Sequence, residues 1–178
     1  MRGVNWRATS TSRVLAVLMT SVGLAVTLTG LYDWAVGSRD LNLPPEAEQL
    51  IDRVNAVRAQ ASCPPVTANA ALTAMAQAQA SDMVRRGFLS SVTPDNQDTV
   101  SRARAFGYPG TVTESFAAGL STPSEVIGQW TNSTNTFAAP VIKRIRACHK
   151  VSIGIGHDDG TARPSLAAHV WVMTLGDE

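Results

Sequence analysis

Three histidines, two cysteines and a scatter of carboxylates are the side chains through which this chain could hold a metal or move a proton. His149, His157 and His169 do not form an H-E-x-x-H helix, the pattern that sets two imidazoles and a general base on one helical face. Cys63 and Cys148 lie too far apart in sequence for a CxxC metal or redox motif. They fit one disulfide in an exported domain, or two unpaired buried thiols. No G-x-S-x-G elbow and no phosphate loop occurs, and Gly154-Ile155-Gly156 lacks the following helix that a dinucleotide-binding turn requires. Ser91 has no histidine partner that the sequence identifies, so a hydrolase is the least supported reading.

The three histidines read as structural. His149 follows a cysteine, His157 opens a polar turn, and His169 alternates in phase with Trp171 and Met173 on a strand. Lys143, Arg144, Arg146, His149 and Lys150 make a basic cluster, which is either a solvated face or a contact for anionic headgroups or an acidic partner.

The elements that must position these residues fall into a helical half and a strand-rich half. Leu50, Ile51, Val54 and Val57 recur at helical spacing behind Glu46 and Glu48, and this helix ends before Cys63-Pro64-Pro65. Asn69 is placed to cap a second helix whose stripe is Leu72, Met75, Ala76, Met83 and Val84, with Arg85, Arg86 and Gly87 at its end. A shorter helix is expected over Val100 to Phe106. Thr122-Pro123-Ser124-Glu125 carries the signature of a capping box and opens a helix through Trp130, which reads as core between helix and sheet. Strands are expected over 111–119, 151–156 and 165–176, the last two joined as a hairpin through the turn-rich stretch 157–164. Ser152, Gly154 and Gly156 share one strand face, where missing side chains would let a helix approach.

Net charge is close to neutral, at +1, yet Arg2, Arg7 and Arg13 all precede the first acid, Asp33. With those three set aside the remainder has no basic excess, so a nucleic-acid partner is not expected. From Val14 to Tyr32 run 19 residues without a charge, VLAVLMTSVGLAVTLTGLY. As a helix they would extend about 28 Å, nearly the thickness of a bilayer core. Residues 1–37 therefore read as an apolar N-terminal helix acting as a signal anchor, or as a signal peptide cut near Ala35-Val36-Gly37. Residues 38–45 read as linker and 46–178 as the folded domain. Positive residues on the amino side place that end in the cytoplasm and the domain outside, membrane-anchored or, if cleaved, secreted.

The motifs carry a more specific signal. Asn55-Ala56-Val57-Arg58 and Cys63-Pro64-Pro65-Val66, then Asp82-Met83 and Gly87-Phe88, resemble the opening of a bacterial domain of the CAP superfamily of cysteine-rich secretory, antigen 5 and pathogenesis-related proteins. The similarity continues in order through Thr93-Pro94-Asp95, Gly107-Tyr108, Glu114, Ser124-Glu125-Val126, Trp130 to Ser133, Ile153 to Gly156 and Trp171 to Gly176. It implies an α+β fold, a three-layer α-β-α sandwich around a mainly antiparallel sheet. It also implies that Cys63 and Cys148 form a disulfide, because cysteines at matching positions pair in bacterial members.

CAP domains commonly set two histidines and one or two acids in a groove able to hold a divalent metal. In this chain the first histidine position reads Ser91 and the best match to the second is Thr136; Glu114 matches the acidic position, and Ser115 stands where an asparagine is usual. One carboxylate with hydroxyl neighbours falls short of the three or four protein ligands of a zinc site. No metal, no cofactor and no catalytic residue is expected. The resemblance thus implies a non-catalytic binding or scaffold protein, with the membrane, an envelope protein or a lipid as partner. A lipid or sterol carrier is the alternative, and an atypical hydrolase a distant third.

Overall fold

A computed structural model describes residues 41–132, 134–160 and 168–177. The expected N-terminal apolar helix, and with it the signal anchor or signal peptide of residues 1–37, lies outside the described residues, as do residues 38–40 of the 38–45 linker. Among the described residues no helix is long and apolar enough to cross a membrane.

Helix α1, Pro45–Gln60, opens with proline in its first turn beside Glu46 and Glu48. It buries Ala47, Leu50, Ile51, Val54 and Arg58 on one stripe. Strand β1, Thr67–Ala68, is two residues long. Asn69 caps α2, Ala70–Arg86, through its side-chain oxygen on the Leu72 N–H, and Gly87 ends the helix in the left-handed conformation that glycine adopts without steric cost. Helix α3 is Thr99–Ala105, β2 is Val112–Ala118, and α4 is Pro123–Thr131, entered through a complete capping box of Thr122 and Glu125. Helix α5, Ala138–Ile145, has no side-chain cap at its start. Strands β3, Ser152–Asp158, and β4, Val170–Gly176, close the chain.

The sheet order is β1-β3-β4-β2. Both seven-residue ladders, β3 with β4 and β4 with β2, are antiparallel, but β1 pairs parallel to β3. The expectation of a mainly antiparallel sheet is corrected to a mixed one. Parallel pairing follows from the long connection through α2 to α5, which returns the chain to the same end of the sheet before β3 begins.

Helices cover both faces. On one, Ile153, Ile155, Trp171, Met173 and Leu175 pack with Leu50, Ile51 and Val54 of α1, Trp130 of α4 and Ile145 of α5. Trp130 and Trp171 are almost fully buried, and burial of a tryptophan is worth roughly 4–6 kcal/mol before entropy is counted. On the other face, Ala76, Ala80 and Met83 of α2 lie on Val170 and Val172. Here Gly154 and Gly156 matter, because a Cβ at either would overlap the α2 backbone at Leu72 and Ala76. Two α-carbons without side chains let this helix lie directly on the sheet.

Two histidines sit differently from their sequence reading. His157 lies within β3, opposite Trp171, rather than at the start of a turn. His169 precedes β4 with φ of +58° and is not a strand residue. Its left-handed backbone breaks the alternation that ties it to Trp171 in the sequence. Of the expected 157–164 connection, residues 161–164 lie outside the described residues.

Cys63 and Cys148 form a disulfide across 85 residues of chain. Beside it, the fully buried Arg58 donates from Nε to the Pro64 carbonyl at 2.8 Å, from Nη1 to Ile145 at 2.7 Å and Ala147 at 3.1 Å, and from Nη2 to Lys150 at 2.8 Å. The end of α1 and the loop after α5 are thereby joined twice, once by sulfur and once by a guanidinium.

Candidate functional site

Strand β2 is an edge of the sheet, and a groove of about 460 Å³ runs along it. Ser91, Glu114, Phe116, Phe137, Pro140 and Arg144 are among the residues that line it. Ser91 arrives on the loop after α2, Glu114 and Phe116 on β2, Phe137 immediately before α5, and Pro140 and Arg144 on α5. Thr136 does not line the groove. It is exposed beside Phe137, at the rim. The structure therefore brings Ser91 and Glu114 together and leaves Thr136 to one side.

Arg102, which does not itself line the groove, links Ser91 to Glu114. Its Nη2 donates to Glu114 Oε2 at 2.6 Å, and its Nη1 donates to the carbonyls of Ser91 at 2.8 Å and Gln97 at 2.9 Å. The two side chains are 7% and 0% exposed, so this is a buried ion pair. Asp98 caps α3 through Ser101 N–H and so holds the helix that carries Arg102 in place. From the opposite side, Arg144 donates to the Glu114 carbonyl at 3.0 Å and to Ser115 Oγ at 3.1 Å. One arginine holds the carboxylate and the other holds its main chain.

Burial pushes the Glu114 carboxyl above the usual glutamate range, against the opposing pull of Arg102, the Ser91 hydroxyl and Arg144. The Ser91 hydroxyl acts on this carboxylate at short range, yet no donor meets hydrogen-bond geometry at Oε1, and Arg102 Nε is likewise buried without an acceptor. The polar centre of the groove is thus only partly satisfied. A divalent metal does not fit it: the one carboxylate already carries a guanidinium, and the nearest further side chain is a neutral hydroxyl. Among the described residues, no group of three or more His, Cys, Asp or Glu could hold a metal ion.

The rim is apolar. Phe137 is 84% exposed and Leu89 is 48% exposed, both bordering the groove. Sequence reasoning missed Arg102 and Phe137. Nothing in a single sequence links Arg102 to a carboxylate on another element, and Phe137 follows a polar run with no periodic pattern.

The basic cluster divides. Lys143, Arg146 and His149 are exposed around a depression of about 580 Å³. Arg144 belongs to the groove, while Lys150 is buried, with Nζ 3.3 Å from Asp177. The remaining histidines meet where β3 ends and β4 begins: His157 stacks on Trp171 with centroids 3.8 Å apart, and His169 Nδ1 lies 3.4 Å from His157 Nε2.

Solved structures share this arrangement of elements. An outer surface protein from Borrelia burgdorferi superposes with a TM-score of 0.63 at 14% identity, covering 74% of this chain and 91% of that one. An extracellular protein containing an SCP domain from Bacillus anthracis gives 0.64 at 16% identity over 76% of this chain and 44% of the other. A cysteine-rich secretory protein from Staphylococcus aureus gives 0.55 at 12% identity over 78% and 40%. These identities establish likeness of fold alone. No curated protein matches the chain. The family model for CAP, the cysteine-rich secretory protein family, matches residues 51–174, from within α1 to within β4, and the chain belongs to that family.

Proposed function

We propose that this chain is a non-catalytic binding or scaffold module of the CAP family that works outside the cytoplasmic membrane, with a groove closed to metal. The observation that carries the reading is the buried Arg102–Glu114 pair. A guanidinium is a fixed charge with no proton to exchange near neutral pH, so it cannot serve as a general base, and it neutralises the one groove carboxylate. What the groove then offers a partner is apolar rim and the Arg144 guanidinium.

An extracytoplasmic site is supported by the Cys63–Cys148 disulfide, which persists in oxidising compartments, and by the arginines that precede the uncharged run from Val14 to Tyr32. In this reading residues 1–37 tether the domain to the membrane or direct its export. A lipid or sterol ligand is the second reading, favoured by the exposed Phe137 and Leu89 that both line one groove.

Zinc titration of the full-length chain and of its Glu114→Gln variant tests the reading. The two should bind zinc identically, whatever other side chains contribute. Zinc affinity in the parent that Glu114→Gln abolishes would show the groove to be a metal centre.

A further inference from the structure

A second depression, of about 580 Å³, shares Arg144 with the groove and is lined besides by Thr113, Lys143, Arg146, His149 and Lys150. No aspartate or glutamate is among its described lining residues. Lys143 and Arg144 come from the last turn of α5, and Arg146, His149 and Lys150 from the loop that follows. Among the described residues Lys143, Arg144 and Arg146 form no ion pair, and Arg144 commits only Nη1, to the Glu114 carbonyl and Ser115 Oγ. Lys150 is buried, yet its Nζ has only long contacts, 3.3 Å to Asp177 and 3.4 and 3.5 Å to the carbonyl and hydroxyl of Thr111. Thr113 Oγ1 is buried with no hydrogen-bond partner.

We propose that this depression is an anion site for a phosphoryl group carried by a small soluble molecule. Cations gathered without acids repel one another, and an anion of more than one charge relieves that repulsion at every member at once. A phosphoryl group also fits the donor types. Its oxygens accept two parallel N–H bonds from a guanidinium and a further bond from an ammonium, and each such bond is charge-assisted. The volume falls within the range of about 300–1,000 Å³ usual for small-molecule sites.

The main chain does not oppose the anion. Helix α5 ends here, and a helix C-terminus carries partial negative charge on its last carbonyls. The buried Arg58 takes the carbonyls of Ile145, Ala147 and Lys150, which withdraws these acceptors from an incoming ligand. The Cys63–Cys148 disulfide fastens the same loop to the end of α1, so its cations are held together before a ligand arrives and less ordering is needed on binding. A flat bilayer would meet the exposed Lys143, Arg146 and His149 but not Lys150, which is 4% exposed. A group small enough to enter reaches both, which favours a soluble molecule over a headgroup surface. The inference adds a ligand class to the binding reading above and uses none of the contacts between Arg102 and Glu114.

Calorimetric titration of the full-length chain with pyrophosphate tests it, with glutarate and the short-chain lipid dioctanoyl phosphatidylglycerol as parallel titrants. Stoichiometric binding of pyrophosphate is expected, weakened by added salt, with glutarate about tenfold weaker or more. Lys143→Gln combined with Arg146→Gln changes two exposed side chains, so it should keep the fold and weaken pyrophosphate by about tenfold or more. Arg85→Gln combined with Arg104→Gln removes the same charge from exposed positions elsewhere and should leave the affinity unchanged. Glu114→Gln should also leave it unchanged, which separates failure here from failure of the groove reading. The proposal is overturned by no binding of pyrophosphate, by equal weakening in the two double variants, by glutarate binding as tightly, or by phosphatidylglycerol taking this site in preference to pyrophosphate.

Discussion

Arg102 is the residue on which the chemistry of the groove turns. Its guanidinium makes three hydrogen bonds, two to main-chain carbonyls and one to Glu114, and is itself almost completely buried. Removing one member of a buried pair leaves the other charge without compensation, which costs about 3–5 kcal/mol. Arg102→Met should destabilise the fold by that amount in denaturant titration, and Arg102→Met combined with Glu114→Gln should recover much of the loss, since no charge then remains stranded. A double variant no more stable than the single one would mean that Arg102 acts through its carbonyl contacts alone. The sequence singled out Glu114 and Ser91 as groove candidates, and both line one groove. Arg102 was not singled out, because 12 residues and a change of element separate it from its partner, and no periodicity spans that gap.

At the scale of elements, the parts whose ends carry local chemistry were the most legible. Asn69, Gly87 and the Thr122–Glu125 box bound α2 and α4 where the sequence places them, because a cap is a contact between residues three or four apart. The capping box also gives α4 a pH dependence. Hydrogen bonds from Thr122 and Ser121 hold the Glu125 carboxyl below its usual range. A depressed carboxyl pKa contributes stability that is fully present above the unfolded value of about 4.3 and is lost as pH falls through the folded one. Glu125→Gln should therefore narrow its stability gap from the parent as pH drops below about 4.3. A gap that is constant from neutral pH to pH 3 in denaturant titrations, about a unit below that value, would remove the charged capping box from the account. Helix α5 escaped sequence reading for the opposite reason. It has no capping side chain, carries Pro140 in its first turn and ends in the basic cluster that drew attention instead. The two-residue β1 is too short to leave a periodic trace, and the parallel pairing that makes the sheet mixed went with it.

Across the whole molecule, the order of motifs along the chain identified the frame, and the glycine face of β3 foretold the close approach of α2. The disulfide closes 85 residues, which in the chain-entropy view stabilises the fold by roughly 4–5 kcal/mol. The central claim is that Arg102 supplies the positive charge beside Glu114 and so keeps a metal cation out of the groove. Zinc titration of the full-length chain carrying Ser91→His, compared with the same chain carrying Arg102→Ala as well, tests it most directly. The account predicts that removing Arg102 tightens zinc by about tenfold or more, a gain of about 1.4 kcal/mol, and that adding Glu114→Gln abolishes the gain. Equal zinc affinity with Arg102 present and absent would contradict it.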